Sequence, residues 1–346
     1  MKQRKAVALI SGGLDSMLAT QAVIEQGILV EGINFYTGFC VEGHTHAIRK
    51  KERKTPKRNN ALWVAEQLGI KLHIIDIVEE YKEVLINPKH GYGANLNPCL
   101  DCKIFMVKKA YEWMQENDFD FIITGEVIGQ RPKSQRKNTM PIVQKNSGAF
   151  DRLLRPLCAK NLPETLPEKE AWVDREKLMN FSGRSRKPQM SLAKKFEFED
   201  YAQPAGGCCF LTDKAYSEKL VDLWQHRGHK EYELDDIMLL KVGRHIRPTD
   251  SFKLIIGREE GENNFLEGYR KQFISIQPIS HTGPLVLIDG EPSAEDLQLA
   301  AKIAARFTQG KNESSVTVQI DRHEAPSWVL TVKPFTSEEI PSEWYV

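Results

Sequence analysis

Ser11-Gly12-Gly13-Leu14-Asp15-Ser16 stands between an apolar run, Ala6 to Ile10, and an apolar-periodic segment, Met17 to Ile24. A short apolar run, two glycines and a 3.6-residue period read as buried strand, tight turn and helix. Adjacent glycines let the chain reverse sharply and let an anion come close to the backbone. The free N–H groups and the dipole of the following helix favour a phosphate at such a turn. The GK[ST] ending of the Walker loop is absent, so a phosphate here is gripped in some other way.

The pattern after this loop repeats the alternation. Strands are predicted at residues 5–10, 28–35, 71–76 and 119–124. Helices are predicted between them, one ending at Gly27, one over 57–68 closed by Gly69, and one over 103–116. Strands alternating with helices predict an α/β fold with a doubly wound parallel sheet. Ligands of such sheets bind beyond the carboxyl ends of the strands, where the glycine loop falls. Residues 161–200, rich in charge and proline, read as a connecting arm with a helical stretch near 166–179. Gln203-Pro204-Ala205-Gly206-Gly207 is a turn cluster and a candidate boundary. Beyond it an amphipathic helix at 217–225 and a helix at 293–307 accompany strand-like runs at 237–242, 252–256, 273–278, 284–288, 315–320 and 328–333. The expected division is therefore 1–160, an arm at 161–210, and a second, smaller α+β domain at 211–346.

Charge separates the same parts. Residues 1–200 carry 32 Lys and Arg against 25 Asp and Glu, and residues 201–346 carry 16 against 22, so the chain's net +1 divides into +7 and −6. A bound nucleic acid would meet the first part. Seven of the ten residues from Arg49 to Arg58 are basic, a run that suits either a solvated loop or a polyanion. No apolar run approaches the roughly 20 residues of a membrane helix. Ala6 to Ile10 is too short for a signal-peptide core, and a cytoplasmic location is expected.

Of six cysteines, Cys99 and Cys102 form a CxxC behind Asn97-Pro98, and Cys208 and Cys209 follow Gly206-Gly207. The helix opening at Cys102 is expected to favour its thiolate. Three readings suit these thiols: a closed Cys₄ zinc site, a persulfide-carrying redox pair, and an iron–sulfur cluster held by three cysteines with one iron open. Cys40 and Cys158 have no partners in sequence and read as unreactive.

Ser11 to Ser16 resembles the SGGxDS pyrophosphate loop of the ATP pyrophosphatases, the class of GMP synthetase, NAD synthetase and the tRNA thiouridine synthetases. That resemblance implies the adenine nucleotide α-hydrolase-like version of the parallel sheet. Asn97 to Cys102 is similar to the NPxxxC motif of the tRNA 2-thiouridylases, with Cys102 at the motif cysteine. Cys99 stands where the oxygen-tolerant members carry Asp, a departure that favours the cluster. Gly206 to Leu211 is similar to the segment around that family's second cysteine. The glycines there select Cys208, the following Phe selects Cys209, and Cys208 is preferred. Thr124-Gly125-Glu126-Val127-Ile128-Gly129-Gln130 with Ser134-Gln135, and Leu154-Arg155-Pro156-Leu157, resemble the TGExxGQ…SQ and LRPL segments of the 4-thiouridine synthetases. Arg131-Pro132-Lys133 departs from that pattern. Lys241 to His245, Lys253 to Arg258 and Glu262-Asn263 resemble the RNA-binding domain of ribosome-quality-control factors. With the loop starting at Ser11, the RNA-binding domain that precedes the ATP domain in the 4-thiouridine synthetases is expected to be missing.

These resemblances imply a tRNA sulfurtransferase that adenylates a uridine carbonyl oxygen and replaces it with sulfur. The nucleotide set is Ser11, Gly12, Gly13, Leu14, Asp15 and Ser16, joined by Phe35, Gly125 and Gln130. Asp15, Cys99, Cys102 and Cys208 are the implied catalytic residues, with the three cysteines, or Cys209 in place of Cys208, as ligands. The implied cofactors are ATP, Mg²⁺ and a [4Fe-4S] cluster. The implied partners are tRNA and a sulfur donor, sulfide or a persulfide carrier; a homodimer is left open. Two other readings stay open: a small-molecule ATP pyrophosphatase with cysteine-bound zinc, similar to the deazaguanine nitrile-forming enzymes, and a non-catalytic ATP- and RNA-binding protein.

Overall fold

A computed structural model describes residues 3–41, 58–201 and 208–346. The basic run apart from Arg58, and the turn cluster 203–207, lie outside the described residues. The chain divides into two compact units, the first ending at Thr212 and the second beginning, among the described residues, at Asp213.

The first unit is built on five parallel strands: β1 (Lys5–Leu9), β2 (Leu29–Tyr36), β3 (Leu72–Asp76), β4 (Phe121–Ile123) and β5 (Leu153–Leu154), in the order β3-β2-β1-β4-β5. Alternation of side chains across the sheet makes two buried layers. Ala6, Ala8 and Ile10 pack with Leu18, Val23 and Val64 on one face, and Val7, Ile33 and Ile122 pack with Val107 and Met114 on the other. Both faces are covered, as parallel sheets require. Helices α1 (Leu14–Ile24), α2 (Asn60–Leu68), α3 (Val78–Ile86) and α4 (Cys99–Glu116) supply the cover. Local signals set their ends. The Asn59 side chain accepts from the N–H groups of Ala61 and Leu62 at the start of α2, and Gly69, at φ 62°, closes it in the left-handed conformation. The chain runs outward one way from β1 through β2 to β3 and the other way through β4, so the order reverses at β1/β4.

Two sequence expectations for this unit are corrected. The helix expected near 166–179 is a single turn, α6 (Leu166–Lys169), after α5 (Met140–Asn146). A capping box from Thr165 and Glu168 starts it, but Ala171 turns to φ 52° and the chain leaves the helix. The substantial helix of this region is α7 (Lys187–Lys195). The region is also more than a connector: Val173, Leu178, Leu192 and Ala193 are buried in the same layer as α1.

In the second unit a six-stranded sheet runs β11-β10-β8-β9-β7-β6, all pairs antiparallel, from β6 (Arg244–Thr249), β7 (Phe252–Ile256), β8 (Ile274–Pro278), β9 (Val286–Gly290), β10 (Val316–Asp321) and β11 (Trp328–Val332). Its helices are α8 (Lys214–Arg227), α9 (Leu234–Leu239), α10 (Glu260–Glu267) and α11 (Ala294–Arg306). Ala300, Ala301, Ile303, Ala304 and Ala305 of α11 pack on Leu254, Ile276, Val318 and their neighbours. The strand expected at 237–242 is helix α9 and its exit instead. A capping box between Glu233 and Asp236 starts the helix, and Leu239 and Val242 then bury against Ile255 and Leu287. Among the described residues no helix is long and apolar enough to cross a membrane.

Candidate functional site: the glycine loop and the thiols

The loop from Ser11 to Ser16 leaves the carboxyl end of β1 at the point where the strand order reverses, the position at which open α/β sheets bind ligands. Gly12 adopts φ 76°, and a Cβ there would stand 2.7 Å from Asn60 Cβ, so only glycine fits. Gly13 occupies the N-cap of α1 and provides no side-chain cap, leaving the first N–H groups of the helix without the usual acceptor. The Ser16 hydroxyl instead donates back to Gly13 O at 2.8 Å and lies 3.4 Å from the Ser11 hydroxyl, which holds the loop open. Leu14 is buried beneath it. Phe35 also packs in the core, beside Val7 and Ile33, with 6% exposure.

From β4, the parallel neighbour of β1, residues 124–135 run past this loop. Gly125 lies so close that a Cβ would meet the Asp15 and Ser16 backbone at 2.5 Å. Gln130 Nε2 donates to Asp15 Oδ2 at 2.5 Å. Between them Glu126 is buried and accepts from Thr124 Oγ1 at 2.9 Å and Arg155 Nε at 3.0 Å. Burial alone would raise the Glu126 pKa, but Arg155, Lys103 and the hydrogen bonds outweigh it and hold the carboxyl below its ordinary range. Cys158 is fully buried; its thiol donates to Glu126 O and is pushed up to about 12, chiefly by burial.

Arg186, just ahead of α7, places its guanidinium 3.6 Å from Asp15 Oδ2. No motif marks this residue; it reaches Asp15 only through the packing of 161–201 on α1. Asp15 Oδ1 is buried without a hydrogen-bond partner. An uncapped helix start, an orphan carboxylate oxygen and a guanidinium thus converge, the chemistry that a nucleotide triphosphate with a divalent cation requires.

The far end of the 124–135 segment touches the thiols. Cys99, the first residue of α4, donates to Ser134 Oγ at 3.5 Å. Arg131 and Lys103 both lower the pKa of Cys208. The expected thiolate at Cys102 is corrected: burial pushes this thiol up to about 12, a hydrogen bond from Tyr81 offsets only part of that, and Cys208 and Cys99 add to the rise. The helix dipole does not overcome this desolvation. Cys208, exposed at its surface, is held below the ordinary thiol range, first by Cys209 and then by the charges of Arg131 and Lys103. Cys209 is pushed far up. Its backbone pairs with Cys40 in an antiparallel bridge, so a cysteine that sequence alone set aside lies beside the group.

Asp101, inside the CxxC, accepts from the backbone N–H of His90 at 2.9 Å and faces His90 Nδ1 at 2.8 Å, which ties the approach to α4. Lys133 Nζ donates to Tyr92 O at 2.9 Å, so the basic insertion braces the same approach. Arg58 pairs with both carboxylate oxygens of Asp200 and stacks 3.7 Å over Trp63. Among the described residues no three His, Cys, Asp or Glu side chains are grouped to hold a single metal ion.

Residues 4–148 match the family described as the tRNA methyl transferase HUP domain. Residues 243–345 match the NFACT protein RNA binding domain. The tRNA-specific 2-thiouridylase MnmA of Petrotoga mobilis is 31% identical over 134 residues, covering 37% of this chain and 36% of its own. The chain is similar to the tRNA thiouridine synthetases of the ATP-pyrophosphatase class. A probable tRNA sulfurtransferase of Thermococcus kodakarensis is 29% identical over 145 residues, 42% of this chain and 35% of its own. The matches thus span about a third of the length of these curated relatives. A solved 4-thiouridine synthetase in complex with RNA and bound ATP overlaps 61% of this chain and 46% of its own, at 22% identity and a TM-score of 0.40.

Proposed function

We propose that this protein thiolates a tRNA uridine at the expense of ATP. The observation that carries the reading is the continuity of residues 124–135, with Gln130 on Asp15 of the phosphate loop and Ser134 on the Cys99 thiol. One short segment thereby joins a nucleotide-binding turn to a group of thiols. The match of residues 243–345 to an RNA-binding domain favours RNA over a small-molecule substrate.

In this reading the first N–H groups of α1 and the Arg186 guanidinium receive the β- and γ-phosphates. The orphan Asp15 Oδ1 fits a Mg²⁺ ion, which would neutralise charge on the phosphate oxygens. The uridine carbonyl oxygen attacks the α-phosphorus. An O–P bond forms, and the bond to pyrophosphate breaks. A sulfur nucleophile then bonds to the activated carbon, and AMP leaves with the original oxygen. The base must be unstacked from its neighbours to reach both groups.

Cys102 lies within electrostatic reach of both Cys208 and Cys99, and the three thiols, with no fourth required, are a donor set that fits a [4Fe-4S] cluster. A cluster binds each thiolate at a different iron, so its ligands need not crowd as around a single ion. Bound there, it would present a sulfur nucleophile at an open iron. The protein's own part is to hold the thiols, with Cys208 the most readily ionised of the three, and to set Arg131 and Lys103 beside the anionic sulfur.

Purified protein with tRNA and Mg²⁺-ATP should release pyrophosphate, and the tRNA should gain a thiouridine by nucleoside mass spectrometry. Asp15→Ala should abolish pyrophosphate release and keep the wild-type melting temperature. Pyrophosphate release at the wild-type rate by that variant would remove the loop from the mechanism. Anaerobic preparations should hold about four irons per chain with labile sulfide; stoichiometric zinc without sulfide would overturn the cluster.

A further inference from the structure

Helix α7 carries Gln189 inward to the phosphate loop. Its side chain is fully buried, and its Nε2 donates to Gln130 Oε1 at 2.8 Å, while Gln130 Nε2 donates to Asp15 Oδ2 at 2.5 Å. The order of this chain follows from donor and acceptor types alone. An ionised carboxylate only accepts, so Gln130 must turn its amino end to Asp15. Its carbonyl end then faces away and needs a donor, and Gln189 provides it. Gln189 Oε1, by contrast, is buried with no hydrogen-bond partner. A buried carbonyl without a donor is unfavourable, and a methionine of similar length would avoid it. Stability therefore does not account for a glutamine here; its amino end does.

We infer that Gln189 is a positioning residue of the nucleotide site, acting through Gln130 to fix the Asp15 carboxylate. It touches no substrate. With Gln189 in place, the Gln130 amide has one orientation, and Asp15 keeps Oδ1 directed to the cation side. Without it, Gln130 Oε1 loses its donor, and the amide leaves its place against Asp15 to find another, which lets the carboxylate swing. The inference rests on the adenylation reading of the loop and adds to it a residue 174 positions away in sequence.

Gln189→Met, Gln130→Ala and the double variant test this, each compared with wild type for melting temperature, Mg²⁺-ATP affinity by calorimetry, and tRNA-dependent pyrophosphate release over a Mg²⁺ titration. Gln189→Met should melt at or above the wild-type temperature, bind Mg²⁺-ATP more weakly, and need more Mg²⁺ for half-maximal turnover. Its kcat should fall by about tenfold to a hundredfold, the scale of a misplaced reacting group. In the Gln130→Ala background, Gln189→Met should cause no further loss, because its only route to Asp15 is already gone. Should Gln189→Met fail to fold, Gln189→Leu serves the same comparison. Unchanged affinity and Mg²⁺ requirement, or losses that add in the double variant, would overturn the inference. The calorimetry separates the two levels: a wild type that binds Mg²⁺-ATP yet releases no pyrophosphate ends the adenylation reading, while the affinity of Gln189→Met still decides the role of Gln189.

Discussion

Cys208 and Cys209 are adjacent, yet their thiols behave oppositely. Cys209, Arg131 and Lys103 all favour the Cys208 anion and hold its thiol below the ordinary range, while Cys209 is pushed up and stays protonated. In metal-free, reduced protein, iodoacetamide should label Cys208 at pH 7 well ahead of Cys209 and Cys102, because its thiol is held below the ordinary range and theirs are raised. Equal labelling of the two neighbours, followed by peptide mass spectrometry, would contradict that assignment. A second residue-scale prediction concerns the buried pair. Arg155→Met leaves Glu126 with an unpaired buried charge and should cost about 3–5 kcal/mol in denaturant unfolding at neutral pH. The sign with pH follows from the depressed Glu126 pKa. Its contribution is complete above the ordinary glutamate range and is lost as pH falls through the lower folded value. The gap between wild type and Arg155→Met should therefore narrow in acid; a gap that stays constant would place the loss elsewhere.

At the scale of elements, the sequence made the strand–loop–helix at 5–24 readable because every signal in it is local: the apolar run, two glycines, the helical period. The same holds for β2, β3 and most of the second sheet. Among the elements that were not readable, three show why. The apolar run at 237–242 has strand composition, but the capping box of Glu233 and Asp236 just ahead of it starts a helix. Helix α3 at Val78–Ile86 is charged enough to pass for a loop and is held by burial of Val78, Tyr81 and Leu85. Residues 161–201 have the composition of a linker, yet Val173, Leu178, Leu192 and Ala193 reach the α1 layer. The site divides the same way. Ser11 to Ser16, Gly125 and Gln130 lie in contiguous motifs, whereas Arg186 meets Asp15 through tertiary packing that no spacing rule encodes. The role of Gly125 is likewise visible only in three dimensions. Gly125→Ala should force the 2.5 Å contact with the Asp15 and Ser16 backbone apart. Loss of ATP binding by calorimetry, in a variant with native circular dichroism, is the expected result; wild-type affinity would show that the loop tolerates the displacement.

The whole chain combines a parallel-sheet unit, whose first part matches a HUP domain, with a unit that matches an RNA-binding domain. Residues 213–346 carry 16 Lys and Arg against 22 Asp and Glu, so on the proposed reading any RNA recognition by this unit is not a matter of net attraction. On the proposed reading the basic run at 49–58 is the candidate for that term. Neutralising Arg49, Lys50, Lys51, Arg53 and Lys54 together should weaken tRNA binding and leave Mg²⁺-ATP affinity unchanged. The slope of log K against log salt should become shallower by about 0.7–0.9 for every RNA phosphate that no longer meets a cation. A slope equal to wild type would make the run a solvated loop.

The distance in sequence between Asp15 and Gln189 has a consequence for the newborn protein. Ribosomes add about 5–20 residues per second, so the glutamine that fixes the carboxylate is synthesised roughly 10–35 seconds after it. Until then Asp15 lacks the amide chain through Gln130 and Gln189 and the guanidinium of Arg186. A nascent or truncated chain that stops short of α7 therefore holds a loop that is present in composition and incomplete in geometry. On the proposed reading, nucleotide consumption is thereby tied to finishing the domain.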